Sequence, residues 1–167
     1  MKIMALVFVF GLIFCNSTPG TVERQDASWR QKVVLFQSTR ADMEKTFGKP
    51  FGRYYYVRYD LTDGALDVEY YGFDRCNAQN GLEAVWNLPE WTVTELIFRP
   101  NNPPDFDSFH LDLKKFRKVH ESPHVPDLIS YVNDEEGVDY TFEPDGKLNE
   151  VRYFPGSRYD RFRCPKK

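Results

Sequence analysis

The fold is decided by the stretch RYYYVRYDLTDGALDVEYY, residues 53–71. Its first seven residues are rich in tyrosine and valine, which favour β-strands. The pair Asp63-Gly64 is typical of a hairpin turn. After that turn, residues 66–70 (LDVEY) alternate between apolar and acidic side chains, and this period of two places them on opposite faces of a strand. The stretch therefore predicts an antiparallel hairpin with one apolar face and one solvated, acidic face.

A helix and a third strand flank this hairpin. Ser38-Thr39 is a capping pair for a helix that runs to residue 47, where Gly48 favours its end and Pro50 prevents its continuation. Residues 93–98 (VTELIF) have the composition of a strand. Upstream of the helix, residues 21–37 are predicted to form a polar tether followed by a short strand that leads into the unit.

The second half of the chain repeats this order after a linker at residues 101–107. We predict a second helix beginning at Ser108, with three strands after it. Its inward-facing residues are predicted to be Phe109, Leu113 and Phe116. Three pairs of residues align at an offset of 73, namely Met43 with Phe116, Tyr59 with Val132, and Gly64 with Gly137.

The sequence therefore predicts an α+β fold, with an antiparallel sheet and short helices on one face. We expect two tandem helix-plus-three-strand units, residues 38–100 and 108–167. The alternative is a single α+β domain whose two halves resemble each other by coincidence.

The first helix and the residues around it carry a family resemblance. STRADMEKTFGKP, residues 38–50, with the tyrosine-rich strand and Asp63-Gly64 after it, resembles the opening of small exported modules. These are the outer-membrane assembly lipoproteins of the SmpA/OmlA (BamE) type and the beta-lactamase-inhibitor-protein fold, which carries two such units in tandem. The resemblance implies a fold used for protein contacts without catalysis, and it carries over no binding residue. The second half departs from the pattern, with VHESP at residues 119–123.

The N-terminus has the pattern of a signal peptide. Lys2 precedes an almost unbroken apolar run from Ile3 to Phe14, and the polar residues CNSTPG follow. The run is shorter than the roughly 20 residues that a membrane helix needs. We therefore predict that residues 1–20 are a signal peptide and that the mature chain is secreted or periplasmic, with no membrane span. Two alternatives are a lipid anchor at Cys15, since LIFC resembles a lipobox, and a buried N-terminal strand.

Two cysteines remain beyond the signal peptide, Cys76 and Cys164. In an oxidising compartment two such cysteines usually pair, so we predict a disulfide bond between them. The alternative is two free, buried thiols.

Composition and motifs limit the classes of function. The 167 residues carry 22 Lys and Arg against 25 Asp and Glu, for a net charge of -3. This balance disfavours nucleic-acid binding, which depends on a strong basic excess. His120-Glu121-Ser122-Pro123-His124 satisfies the metalloprotease pattern H-E-x-x-H, but Pro123 disrupts the helix that this motif requires. We predict no catalytic residue, no metal and no cofactor.

The aromatic residues of the first half are the candidate binding residues. Tyr54, Tyr55 and Tyr56 are consecutive, so a strand cannot bury all three. An exposed sheet face that carries tyrosine and arginine is typical of a protein-binding surface. The candidate set is Tyr54, Tyr55, Tyr56, Arg58, Trp86 and Trp91.

These patterns predict a non-enzymatic exported protein that binds another protein. It would act as an inhibitor or assembly module of the cell envelope or the extracellular space. The alternative is a secreted or envelope hydrolase, or a small-ligand-binding domain, with a site lined by tyrosine, tryptophan and histidine.

Overall fold

The computed structural model describes residues 27–77, 84–120 and 128–165. Within these ranges the α-helices are α1 (Ala27–Arg30) and α2 (Arg40–Phe47). The strands are β1 (Phe51–Arg53), β2 (Tyr56–Asp60), β3 (Gly64–Tyr70), β4 (Val93–Pro100), β5 (Arg117–His120), β6 (Ile129–Asn133), β7 (Val138–Phe142) and β8 (Leu148–Tyr153). Short 3₁₀ helices lie at Phe106–Phe109, Leu113–Lys115 and Ser157–Phe162. No helix of the described residues is long and apolar enough to cross a membrane.

The eight strands form one sheet in the order β1-β2-β3-β4-β8-β7-β6-β5. Every neighbouring pair is antiparallel, which confirms the predicted α+β architecture with an antiparallel sheet. Each half of the chain supplies a four-stranded meander, and the two meanders join where β4 pairs with β8. The prediction of three strands per half missed β1 and β5. Both are short strands at the edges of the sheet, without the apolar alternation that marks a half-buried strand.

The hairpin formed by β2 and β3 follows the sequence prediction. Val57 lies opposite Val68 and Tyr59 lies opposite Leu66, and all four side chains are buried. The N–H of Leu61 donates to the carbonyl of Gly64 at 2.7 Å, which closes the turn between the strands. The apolar residues that recur at every second position in the sequence therefore all lie on the buried face of the sheet.

The helix α2 begins and ends as its sequence predicts. Thr39 is the N-cap: its hydroxyl accepts a hydrogen bond from the N–H of Asp42, and the Asp42 carboxylate accepts one from the N–H of Thr39. Gly48 ends the helix with a φ of +84°, a conformation that favours glycine. Met43, on the inner side of the helix, is buried against the sheet.

The hydrophobic core lies on one face of the sheet. The first cluster holds Trp29 of α1 and Met43 of α2 against the inward residues of β2, β3 and β4. The second cluster covers β7 and β8 with Phe106 and Phe109 from the loop after β4. Phe98 of the first cluster lies opposite Val151 of the second, so the two clusters share one face.

Two predicted elements are wrong. The helix expected from Ser108 is absent because His110 takes a left-handed conformation, with a φ of +47°, which breaks the chain into two 3₁₀ turns. Phe109 and Phe116 still pack on the second cluster, but Leu113 is 48% exposed. The strand expected within residues 33–36 is absent: residues 35–37 form a turn, and the N–H of Val34 donates to the Ser38 hydroxyl at 2.9 Å.

The predicted disulfide bond between Cys76 and Cys164 is confirmed. Their Cα atoms are 5.6 Å apart, and the bond links positions 88 residues apart in the sequence. The N–H of Cys164 also donates to the carbonyl of Val85 at 2.9 Å. The bond therefore ties the C-terminal segment to the long connection between β3 and β4.

Candidate functional site

The second face of the sheet, opposite the hydrophobic clusters, is here called the open face. One row of directly paired residues crosses it from edge to edge, with one residue from each strand. In spatial order the row is Phe51, Arg58, Asp67, Ile97, Arg152, Asp139, Val132 and Arg117. Arginine and aspartate recur as neighbours in both halves, so the row alternates positive and negative groups across the sheet.

Asp67 is the centre of the charge network in the first half. Arg58 donates two hydrogen bonds to its carboxylate, at 2.6 and 2.9 Å, and Arg99 forms a further ion pair with it. Arg99 also contacts Glu150 at 2.7 Å, which carries the network into the second half. Burial alone would raise the pKa of Asp67, but the hydrogen bonds from the two arginines outweigh it and lower that pKa. Asp67 is 1% exposed, so these arginines are what allows a carboxylate to stay charged there.

A second charged group lies at the junction of the two halves. Arg152 donates to the Glu95 carboxylate at 2.9 Å, and Glu69 lies directly opposite Glu95 on the neighbouring strand. The pKa of Glu69 is raised, first because the side chain is partly removed from water and second because Glu95 repels its charge. The positive charge of Arg152 acts in the opposite direction and lowers this pKa. The Arg152 guanidinium therefore balances part of the negative charge of both Glu95 and Glu69.

Exposed aromatic side chains border the open face at the β1–β2 edge. Phe51, Tyr54 and Tyr56, here called the aromatic rim, are 67%, 75% and 51% exposed. Tyr54 stands in the turn between β1 and β2 with a φ of +64°, a conformation that a bulky residue rarely adopts. Arg40 of α2 donates to the Tyr54 carbonyl at 3.2 Å and holds this turn. The rim therefore presents three aromatic side chains to solvent, one of them, Tyr54, from a strained turn that Arg40 supports.

A cavity of about 270 Å³ lies on the open face of the second half. Its lining is formed by Arg117, Val119, Ser130, Val132, Asp139, Arg152 and Phe154. Ser130 and Asp139 are 2% and 8% exposed. The cavity thus combines apolar walls, two guanidinium groups and a buried carboxylate.

The six residues predicted to bind do not form one surface. Tyr56 and Arg58 lie on the open face and Tyr54 lies beside it. Tyr55 instead stacks on Trp91 with ring centroids 4.6 Å apart, and both pack against the first hydrophobic cluster.

Trp86 lies in a third cluster near the disulfide bond. Its ring is 4.9 Å from that of Phe36, and the Arg163 guanidinium lies over it at 4.5 Å. Its carbonyl accepts a hydrogen bond from the hydroxyl of Tyr71 at 2.6 Å. Trp86 and the Tyr55–Trp91 pair therefore have structural partners of their own.

Sequence reasoning missed the charged side of the open face. The signal was present, since Glu95, Arg99, Glu150 and Arg152 stand two or four positions apart on their strands, as Asp67 and Glu69 do. We expected the acidic residues of β3 to be solvated, but Asp67 is buried.

The histidines do not converge on a site within the described residues. His120 ends β5 and is exposed, whereas His124 of the H-E-x-x-H pattern lies outside the described residues. No group of three or more His, Cys, Asp or Glu side chains in residues 27–77, 84–120 and 128–165 could hold a metal ion.

No protein-family model matches the chain, and no curated protein matches it either. Among solved structures, the chain is similar to a DUF4309 family protein (YjgB) from Bacillus subtilis subsp. subtilis str. 168, with 16% sequence identity and a TM-score of 0.47. That match covers 73% of this chain and 81% of that chain. What the open face does must therefore be inferred from its own side chains.

Proposed function

We propose that this chain is an exported, non-enzymatic protein that binds another protein through its open face. The observation that carries the proposal is the aromatic rim beside a face rich in arginine. Phe51, Tyr54 and Tyr56 are half of the six large hydrophobic residues exposed in the described part of the chain, and they fall within six consecutive positions. Clustered exposed apolar groups mark interaction sites, and tyrosine and arginine are the residues that most often dominate binding energy.

The backbone of the aromatic rim supports the same function. A tyrosine with a φ of +64° costs about 1–2 kcal/mol relative to an ordinary conformation. Tyr54 is 75% exposed, so its side chain recovers little of this cost by packing within the chain. Backbone strain at an exposed residue is typical of functional sites. We infer that the Tyr54 ring is held outward for contact with a partner.

The charge network gives the open face the rigidity that a docking surface needs. Arg58 and Arg99 are fixed by Asp67, and Arg152 is fixed by Glu95. Side chains that are already ordered lose less conformational entropy when a partner binds. Their alternating charges would select partners by complementarity more than by total affinity.

Export is part of the proposal. It rests on the signal-peptide pattern of residues 1–20, and the Cys76–Cys164 bond is compatible with an oxidising compartment. Envelope fractionation, followed by mass spectrometry of the mature N-terminus, tests it. A start between residues 16 and 22 supports ordinary secretion, a lipid on Cys15 supports the anchored alternative, and an intact Met1 in the cytoplasm contradicts export.

We also propose that the chain is a duplication of one module, of the kind found in the SmpA/OmlA (BamE) and beta-lactamase-inhibitor-protein families. The mirrored order of the two meanders supports it. Core residues of matching strands are 72 positions apart: Tyr59 and Tyr131, Leu66 and Val138, Val68 and Tyr140. The offset of 73 that the sequence suggested differs from this by one position. Because side chains alternate between the two faces of a strand, that difference pairs residues of the buried face with residues of the open face.

Co-precipitation with a matched pair of double variants tests the binding function. The mature protein is used to capture partners from envelope or culture extract. We expect the Tyr54→Ser/Tyr56→Ser variant to lose a partner that the wild type captures. The Val85→Ser/Leu113→Ser variant, which removes two other exposed apolar side chains outside the aromatic rim, should retain it. Retention of every partner by the Tyr54/Tyr56 variant would contradict the proposal.

A further inference from the structure

One corner of the open face, at the β1–β2 edge, alternates aromatic and arginine side chains. Phe51 lies directly opposite Arg58, and Arg53 lies directly opposite Tyr56; these four residues are here called the arginine corner. We propose that the arginine corner binds an aspartate or glutamate side chain within an acidic segment of the protein partner. The inference rests on the proposed function, since it names the chemistry of the partner that the open face would bind.

Arg53 carries a charge that no described residue neutralises. It stands two positions after Phe51 on β1, so both side chains lie on the open face, and both are exposed. In the described part of the chain, Arg53 forms neither an ion pair nor a side-chain hydrogen bond. Residues 45–59 contain four Lys or Arg and no Asp or Glu, although the whole chain has a net charge of -3. The Arg53 guanidinium is therefore available for the two parallel hydrogen bonds that arginine forms with carboxylates.

Arg58 adds a second guanidinium diagonally across the β1–β2 pair from Arg53. Diagonal neighbours on adjacent antiparallel strands are about 7–8 Å apart, a span that long side chains cover. Arg58 binds Asp67 through its Nε and Nη2 atoms, and its side chain is 49% exposed. A guanidinium has five N–H donors, so Arg58 keeps donors for a second carboxylate. Both arginines can therefore contact one carboxylate of the partner.

The charge of Asp67 is balanced within the fold. Arg58 and Arg99 both bind Asp67, which is 1% exposed. Arg99 also binds Glu150 at 2.7 Å. These two arginines balance the two carboxylates, so the charge of Arg53 remains in excess. An acidic group of a partner complements this excess, whereas a basic group does not.

The other carboxylates of this part of the open face lie farther from Arg53. Tyr56 lies between Arg53 and Glu69 in the row of paired residues that crosses the sheet. Asp60 stands at the end of β2, two positions beyond Arg58 and away from Arg53. Neither carboxylate therefore occupies the position in which a partner's carboxylate would meet Arg53.

The aromatic side chains of the arginine corner supply apolar contact beside the carboxylate. Phe51 and Tyr56 are 67% and 51% exposed, and each lies directly opposite an arginine. Apolar residues next to the partner's acidic residue would pack on these rings and exclude water from the ion pair. Ion pairs that are shielded from water are electrostatically stronger. The corner therefore fits an acidic residue flanked by apolar residues better than a run of acidic residues.

Backbone amide shifts in a two-dimensional NMR titration test this chemistry on the mature protein. The probe is a blocked peptide with one glutamate between two phenylalanines, and in its two controls glutamine or lysine replaces the glutamate. We expect the glutamate peptide to give saturable shifts at Gly52, Arg53 and Arg58. The glutamine peptide should bind about tenfold more weakly, because it lacks the charge-assisted hydrogen bonds. Equal binding of the glutamate and glutamine peptides, or no saturable shift with the glutamate peptide, would overturn the proposal.

Two variants assign the binding to the arginine corner. Arg53→Gln should weaken binding of the glutamate peptide about tenfold and leave the glutamine peptide unaffected. The matched control is Arg117→Gln, which removes an exposed arginine from the other edge strand of the same face and should bind as the wild type does. Arg53 has no partner within the described fold, so its replacement should leave the unfolding midpoint unchanged. Unaltered binding of the glutamate peptide by Arg53→Gln refutes the role of Arg53.

Capture of the natural partner separates this inference from the proposed function. Arg53→Glu should lose a partner that the wild type captures, and Arg117→Glu should retain it. If the Tyr54→Ser/Tyr56→Ser variant loses the partner but Arg53→Glu retains it, the carboxylate inference is wrong and the proposed function stands. If both variants retain the partner, both are wrong.

Discussion

Replacing Asp67 with asparagine is the sharpest test of the charge network on the open face. The change keeps the size of the side chain but removes the charge that fixes Arg58 and Arg99. Breaking a buried ion pair from one side usually costs about 3–5 kcal/mol. The side chains of these arginines are 49% and 36% exposed and can regain part of their hydration. We therefore expect the free energy of unfolding to fall by about 2–3 kcal/mol.

The pH dependence separates this explanation from a simple loss of packing. The folded-state pKa of Asp67 is lowered, so the pair stabilises the fold fully above the unfolded pKa of about 3.9. That stabilisation is lost as the pH falls through the lower, folded-state pKa. The wild type should therefore lose more stability than Asp67→Asn on acidification from about pH 5 to below pH 4.

Urea unfolding monitored by tryptophan fluorescence measures both effects, and urea leaves the ion pairs unscreened. The matched control is Asp160→Asn, which breaks the exposed pair with Arg163 at 2.7 Å. This control should change stability by no more than about 0.5 kcal/mol. A loss of under about 1 kcal/mol for Asp67→Asn, or pH profiles of equal slope, would refute the reasoning.

Three further predictions concern stability and use the same unfolding assay. Replacing Cys76 and Cys164 with serine should cost about 4–5 kcal/mol, because the bond closes a loop between positions 88 residues apart; a cost below about 1 kcal/mol contradicts this. Tyr54→Gly should raise the free energy of unfolding by about 0.5–1 kcal/mol by releasing the left-handed conformation, and any loss of stability argues against strain there. Tyr70→Phe should cost about 1–3 kcal/mol, because it leaves the buried hydroxyl of Tyr59 without its partner at 2.9 Å; an unchanged midpoint would show that this hydroxyl pair contributes nothing.

The parts of the fold that could be predicted are those in which local sequence and tertiary packing agree. Residues 66–70 alternate strictly, and Asp63-Gly64 supplies the turn, so the β2–β3 hairpin needed no distant information. The Thr39–Asp42 capping box likewise marks the start of α2 from residues three positions apart. These signals are short-range, which is why they are readable from the sequence.

The missed elements depend on contacts that are distant in sequence. The segment after Ser108 has apolar residues at helical spacing, but His110 turns the chain so that Phe106 and Phe109 both reach the second cluster. Packing on the sheet therefore prevails over the local pattern. Strand β5 pairs with β6, and the connection between them includes residues outside the described ranges.

The candidate site shows the same division. Tyr56 and Arg58 could be placed on an exposed face from their strand alone. The burial of Asp67 could not, because it depends on Arg99 from β4, 32 positions later. Tyr55 and Trp91 were expected to be available for binding, but their rings stack on each other within the fold.

Site-specific photo-crosslinking in the cells that make this protein tests the binding role of the open face most directly. A photoreactive phenylalanine analogue is placed at Tyr56 on the open face and, as the matched control, at Leu113; these residues are 51% and 48% exposed. We expect a discrete adduct between the protein labelled at position 56 and one partner chain, and no adduct from position 113. Adducts of equal yield at both positions, or none at position 56 while position 113 reacts, would contradict it.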